Sequence, residues 1–298
     1  MVIAALPPLF WAGNFVLGRA LHAEIPPLAL SFWRWFLALL ILLPFSYRGL
    51  VDQWGTLRAS WRSLSLLAVL GVTNYNTFAY IGLQTTTATN AVLLTSTTPV
   101  LILALSWVLL GQRVSAVQGL GMALSLAGVG VIVTEGGLAR LSGVRLTTGD
   151  LWILAAGLDW ALYSVCLRWR PAALDPLVFL SATVAIGTLP LAGLYGWDLW
   201  RGSGFDPTPQ NLAALVYVAL FPSVLAYVIW NRAVAELGAN RTGQYIHLLP
   251  VFGALLAMLL LGELPHWFHG VGVGLIGGGI WLAAPRTTRR CLAPSEPS

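Results

Sequence analysis

Long apolar runs separated by short polar or turn-forming clusters make up almost the whole chain. A helix needs about 20 apolar residues to cross the hydrocarbon core of a bilayer. Ten runs of about that length are present, at 2–21, 28–45, 64–83, 89–110, 116–134, 150–169, 176–197, 211–235, 240–261 and 266–284. None shows the strict alternation of a membrane β-strand, and lipid offers the backbone no hydrogen-bond partner outside its own helix, so each run predicts a helix. The expected fold class is an all-α membrane protein with ten transmembrane helices.

Composition removes the soluble alternative. Of 298 residues, 57% are hydrophobic and 9% charged, against about 25% charged in an ordinary soluble domain. The net charge of +5 comes from 16 basic residues, all arginine, set against 11 acidic ones. They lie in short connections and form no basic face, so nucleic acid is not an expected partner. Assigning the connections alternately to the two sides puts eleven arginines on one side and four on the other, with Arg34 inside a span. The positive-inside rule then places both termini in the cytoplasm. Cys166 and Cys291 are too few for a disulfide framework or a zinc site. The first run has no basic segment before it and reads as a retained helix rather than a cleaved signal.

Sliding the chain against itself brings out a repeat. Trp11, Ala12, Val16, Arg19 and Pro27 recur 149 positions later as Trp160, Ala161, Val165, Arg168 and Pro176. Further on, Ala88, Pro99, Gly111, Gly121 and Gly128 recur 151 positions later as Ala239, Pro250, Gly262, Gly272 and Gly279. The division expected is a first five-helix repeat at 1–134, an external linker at 135–149, a second repeat at 150–285 and a cytoplasmic tail at 286–298. An odd number of spans per copy inverts the second copy. Inverted repeats are the architecture of secondary transporters that work by alternating access.

The FWAGNF opening at 10–15, the PPLALSFWRW run at 26–35 and the paired segments TTTATNAVLLTSTTP (85–99) and ELGANRTGQYIHLLP (236–250) carry a resemblance. The chain resembles EamA-type members of the drug/metabolite transporter superfamily, in particular the YddG-like exporters of aromatic amino acids. The resemblance implies a metabolite exporter whose central cavity is lined mostly by the first, third, fourth, sixth, eighth and ninth helices.

Candidate site residues follow from mid-span position and polarity. Pro99 and Pro250 each remove one backbone hydrogen bond near the middle of a span. At equivalent places in two inverted copies they read as hinges, and static bends are the alternative. Thr95 and Ser96 precede the first proline; Gln244 and His247 precede the second. Trp11 and Asn14 share a helix face and superpose on Trp160 and Tyr163 through the repeat. Trp54, Trp61, Trp197, Trp200 and Trp267 read as interface anchors, an explanation that fails for Trp11 and Trp160 near the midplane. Asn74, Tyr75 and Phe78 on the third helix and Tyr227 on the eighth complete an aromatic, sparsely polar wall suited to a flat amphipathic solute. Ala226-Tyr227 aligns with Ala79-Tyr80 if four residues were inserted. Asp159 and His247 are candidates for proton coupling. Arg34 can anchor a carboxylate, snorkel or bind backbone carbonyls.

Other patterns lead elsewhere. Gly270, Gly274 and Gly278 are spaced for close helix packing rather than dinucleotide binding. His266 and His269 form half of a metal site at most, and no catalytic motif is present, so neither cofactor, metal nor catalytic residue is expected. A membrane enzyme acting on lipid would have to use His247, Asp159 and His269, without the spacing such chemistry needs. The function expected is export of small amphipathic metabolites, foremost aromatic or hydrophobic amino acids, across the inner membrane. Nucleosides, drugs or other metabolites are the alternative cargo. The partners are a small-molecule substrate and the lipid bilayer, with oligomeric state open and a monomer sufficient.

Overall fold

The computed structural model describes residues 2–137, 147–261 and 266–283, and all regular structure among them is helical. The 138–146 part of the linker and the tail lie outside the described residues. Fifteen α-helices follow one another. They are α1 (Leu6–Ala20), α2 (Pro27–Asp52), α3 (Trp54–Ala59), α4 (Trp61–Ala68), α5 (Tyr75–Thr85), α6 (Ala88–Thr95), α7 (Thr98–Leu110), α8 (Ala116–Val133), α9 (Thr148–Cys166), α10 (Pro176–Trp200), α11 (Pro209–Ala219), α12 (Ala226–Leu237), α13 (Ala239–Gly243), α14 (Leu249–Leu261) and α15 (Trp267–Ala283). Two π-helical turns, Val69–Asn74 and Leu220–Leu225, join α4 to α5 and α11 to α12. A 3-10 turn, Gln244–Leu248, joins α13 to α14.

Local chemistry sets the starts and stops. Proline occupies the first turn of α1, α2, α7, α10 and α11, where its missing N–H costs nothing. Ser115 with Gln118, and Thr147 with Asp150, form reciprocal capping boxes at α8 and α9. The second box starts α9 at Thr148, two residues ahead of the expected run. Gly111 ends α7 with φ of +63°, a conformation that excludes most side chains.

Seven described stretches are long and apolar enough to cross a membrane: Pro27–Asp52, Trp61–Thr85, Asn90–Leu110, Ala116–Val133, Thr148–Trp169, Pro176–Trp200 and Pro209–Leu237. Trp267–Ala283 is a shorter apolar helix. Helix α2 runs beyond the expected end at 45 to Asp52, and the run expected at 240–261 is divided into α13, the 3-10 turn and α14. The five tryptophans read as interface anchors are all exposed.

Packing partners come in exchanged sets. Helix α9 packs on α5 and α7, while α1 packs on α12 and α14; α4 packs on α10, while α11 packs on α2. Helices α8 and α15 pack against each other, with Gly121 beside Gly279, Ser125 beside Ile276 and Gly128 beside Gly272. The falling numbers on one helix against rising numbers on the other make the pair antiparallel. A Cβ on Gly128 would stand 2.7 Å from the Gly272 carbonyl oxygen, so glycine is required there. This corrects the sequence reading of α15, since Gly270 and Gly274 face open space and the packed glycines are Gly272 and Gly279.

Candidate functional site

The two π turns lie 151 positions apart, Val69 matching Leu220 and Asn74 matching Leu225. A π turn widens the helix and releases a carbonyl from the regular ladder, and such turns concentrate at functional positions. Here one carbonyl of each turn, at equivalent positions, is bonded across the molecule. Pro222 O accepts from the Trp11 indole N–H at 3.1 Å and from Arg34 Nη2 at 3.0 Å. Gly71 O accepts from the Tyr227 hydroxyl. Gly71 has to be glycine, because a Cβ would stand 2.6 Å from the Tyr163 ring.

The aromatic side chains meet between these turns. The Trp160 ring centroid lies 4.9 Å from Trp11, 4.8 Å from Tyr75, 5.2 Å from Tyr163, 5.2 Å from Tyr227 and 5.4 Å from Trp230. Edge and tilted contacts dominate, as ring quadrupoles favour. Trp35 adds an edge contact to Tyr227 at 5.0 Å, and Trp230 donates to Ser164 Oγ at 3.2 Å. Sequence reasoning missed Trp35 and Trp230, which lie in tryptophan-rich or polar-flanked stretches that read as interfacial. Phe78 does not join this cluster and packs instead on the exposed Trp152 at 5.1 Å.

The helices bearing Pro99 and Pro250 are interrupted at matching points. Helix α6 stops at Thr95, Ser96 and Thr97 form a turn, and Pro99 sits in the first turn of α7. Pro250 likewise follows the 3-10 turn that contains Gln244 and His247. Val100 N turns to Thr97 O at 3.0 Å, and the Ser96 carbonyl receives His247 Nε2 at 3.1 Å instead. A carbonyl only accepts, so Nε2 carries the proton of that bond. Thr95, Ser96, Gln244 and His247 are all buried.

Arg34 is fully buried and does not snorkel. Its Nη1 donates to Asn14 Oδ1 at 2.8 Å and to the Tyr80 hydroxyl at 2.7 Å, and Tyr80 donates to the same Asn14 oxygen at 2.6 Å. The guanidinium also lies over the Trp35 ring at 5.3 Å. Tyr80 therefore belongs to the site. Asn74 lies beside the Asp159 carboxyl group. Asn76 Nδ2 approaches the Tyr227 hydroxyl at 3.5 Å across a separation of 151 residues. This corrects the alignment of Ala79-Tyr80 with Ala226-Tyr227, because the offset of 151 set by the π turns runs through the region without an insertion.

Several buried polar atoms have no partner: Trp160 Nε1, Gln244 Nε2, His247 Nδ1, Asn76 Oδ1, Asn231 Nδ2 and Asp159 Oδ2. Away from water each unmade bond is costly. Trp160 shows how one arises: its counterpart Trp11 binds Pro222 O, but the matching Gly71 O is taken by Tyr227. Two cavities of about 340 Å³ open elsewhere in the molecule, neither lined by a ring of the aromatic cluster. One is lined by Ser164, Arg168, Arg170, Asn231, Gly238 and their neighbours. The other is lined by Phe15, Ala88, Glu135, Pro250, His266 and His269, among others. Of the residues with these unsatisfied atoms, Asn231 lines the first cavity, and polar groups beside apolar walls are what a small solute with polar and apolar parts needs.

Known proteins agree with this architecture. The chain is similar to an uncharacterized transporter of Archaeoglobus fulgidus, 32% identical over 290 residues that cover 96% of this chain and 97% of that protein. It is also similar to a probable terminal-alkyne amino-acid exporter of Streptantibioticus cattleyicolor, 30% identical and covering 82% of this chain and 80% of that one. A solved crystal structure superposes with a TM-score of 0.76 over 95% of each chain at 21% identity, which speaks to the fold. The sequence profile of the EamA-like transporter family matches residues 1–134 and 147–284, and the chain belongs to that family of membrane transporters.

Proposed function

We propose that the chain is a secondary transporter of ten membrane-spanning helices, arranged as two inverted five-helix repeats with both termini in the cytoplasm, at the inner membrane. We read it as a YddG-like exporter of small amphipathic metabolites, foremost aromatic or hydrophobic amino acids, that works by alternating access. The observation that carries this reading is the pair of π turns, 151 positions apart, in which the Gly71 and Pro222 carbonyls are each bound by a side chain from the other half of the chain. Breaks in helices at corresponding points of two halves are how secondary transporters build their solute sites. The reciprocal packing partners support the inverted arrangement. The aromatic cluster around Trp160 supports a flat apolar cargo, and a relative named as an amino-acid exporter supports the amino-acid class. In this reading Pro99 and Pro250 act as hinges, while Asp159 and His247 are the groups available for proton coupling.

The test is uptake of radiolabelled phenylalanine, tryptophan, threonine and uridine into liposomes holding the purified protein, with and without an imposed pH gradient. Saturable uptake of the aromatic amino acids, lost in a Trp160→Ala, Gln244→Ala double variant, is the expected result. Uptake of uridine alone would overturn the substrate class, and no movement above empty liposomes would overturn transport of these solutes.

A further inference from the structure

One hydrogen bond is built twice with its partners exchanged. Tyr80 donates to Asn14 Oδ1 at 2.6 Å, and Tyr163 donates to Asn231 Oδ1 at 2.9 Å. Under the repeat, Asn14 corresponds to Tyr163 and Tyr80 to Asn231. The surroundings of the two bonds differ. Arg34 Nη1 completes the first pair, bonding both Asn14 and Tyr80. The residue equivalent to Arg34 is Thr183, whose hydroxyl turns back to the Phe179 and Leu180 carbonyls of its own helix. Asn231 Nδ2 is left without a partner, although Asn231 is only 5% exposed.

A second difference reinforces the first. Arg19 Nη1 is tied to the Leu83 carbonyl at 2.8 Å, at the end of α5. Its equivalent Arg168 is exposed, with no carboxylate partner among the described residues. Arg168 and Asn231 both line the cavity of about 340 Å³ described above, together with Ser164 and Arg170, and no Asp or Glu among the described residues lines it. Arg170 is held over the Phe179 ring at 5.6 Å. An adjoining depression shares Gln112 and Gly238 and adds Arg113 and Arg241.

We propose that this cavity binds the carboxylate of a small solute. The guanidinium groups of Arg168 and Arg170 take the carboxylate, the buried, unpartnered Asn231 N–H behind the wall becomes its third donor as the side chain turns toward it, and Val165 and Val234 take the apolar body. Planar guanidinium forks match a carboxylate, and a lining without acidic residues opposes no anion. The site lies apart from the Trp160 cluster. The proposal deepens the transport reading and rests on it for the choice of aromatic probes.

The test measures equilibrium binding of radiolabelled L-phenylalanine, 3-phenylpropionate and phenethylamine to the full-length protein in nanodiscs. Asn231→Asp keeps an acceptor for Tyr163 while replacing the free donor by negative charge. The expected result is carboxylate binding that is about tenfold weaker in Asn231→Asp and in the Arg168→Gln, Arg170→Gln double variant. Wild-type preference for 3-phenylpropionate over phenethylamine accompanies it, as does unchanged thermal unfolding of the arginine variant, whose Arg168 side is exposed. Carboxylate binding that is absent from the wild type or undiminished in both variants overturns the proposal, as does equal binding of phenethylamine. So does lipid phosphorus that co-purifies with the wild type and is lost from the arginine variant, because the occupant is then a headgroup. Parallel uptake into liposomes separates the two readings: solute movement undiminished in Asn231→Asp sinks this site alone, and carboxylate binding without any solute movement sinks transport alone.

Discussion

His247 Nε2 stands 3.1 Å from the carbonyl oxygen of Ser96, the residue 151 positions before it. Ser125 and Ile276 show the same separation, as do Asn76 and Tyr227. In the proposed inverted arrangement, a residue that touches its own repeat counterpart lies on the axis relating the two copies, just as identical residues meet at the centre of an isologous dimer. The Ser96–His247 bond thus joins the two interrupted helices at their shared centre.

Replacing His247 by leucine leaves the Ser96 carbonyl buried without a donor. The expected loss of stability is about 1–3 kcal/mol, read as a lower melting temperature in detergent. His247→Asn, which keeps an N–H, recovers part of it. A leucine variant as stable as the wild type would show that the bond carries little weight.

Trp160→Ala removes the ring that touches Trp11, Tyr75, Tyr163, Tyr227 and Trp230, with an expected cost of about 3–5 kcal/mol. Trp160→Phe separates packing from hydrogen bonding. The indole N–H has no partner, so the phenylalanine variant should melt within about 1.5 kcal/mol of the wild type. If the solute uses that N–H, uptake falls while stability does not.

Arg34→Met strips Asn14, Tyr80 and Pro222 of one shared donor group. The expected loss is about 3–5 kcal/mol, since dismantling one side of a buried polar network strands the rest. Arg34→Lys should rescue only a fraction, because an ammonium group lacks the planar fork that reaches all three. Chemical or thermal denaturation of the three proteins side by side checks the order.

Gly128→Ala places a methyl group 2.7 Å from the Gly272 carbonyl oxygen, with an expected cost of about 1–3 kcal/mol as α8 and α15 are forced apart. Gly274→Ala meets nothing within 4 Å and should change stability by no more than about 0.5 kcal/mol. Equal melting of the two variants would contradict the described packing face.

Helix existence was legible because lipid removes every alternative partner for the backbone, so apolar length alone decides it. The breaks before Pro99 and Pro250 had a local signal in the missing N–H. The π turns had half of one: Pro222 cannot donate, whereas nothing around Gly71 tells that Tyr227, a residue of another helix, caps its carbonyl. Trp11, Tyr75, Trp160, Tyr163 and Tyr227 meet as mid-span aromatics, but Phe78 turns outward because its helix face is set by packing of α5 on α9. The glycine face of α15 failed for the same reason. A period of four suits many partners, and only the antiparallel approach of α8 selects Gly272 and Gly279.

Arg34 has no equal in the second half, where Thr183 occupies its place. In a carrier of two identical inverted halves, the empty forms facing either side would be related by a two-fold rotation and equally populated. A buried guanidinium bonded to Asn14, Tyr80 and Pro222 in one half only removes that degeneracy. An imbalance of about 1.4 kcal/mol already shifts the two populations tenfold. Under the proposed alternating access, the unloaded protein accordingly has a preferred resting side, and the cost of leaving it enters every turnover as a built-in delay on the return stroke.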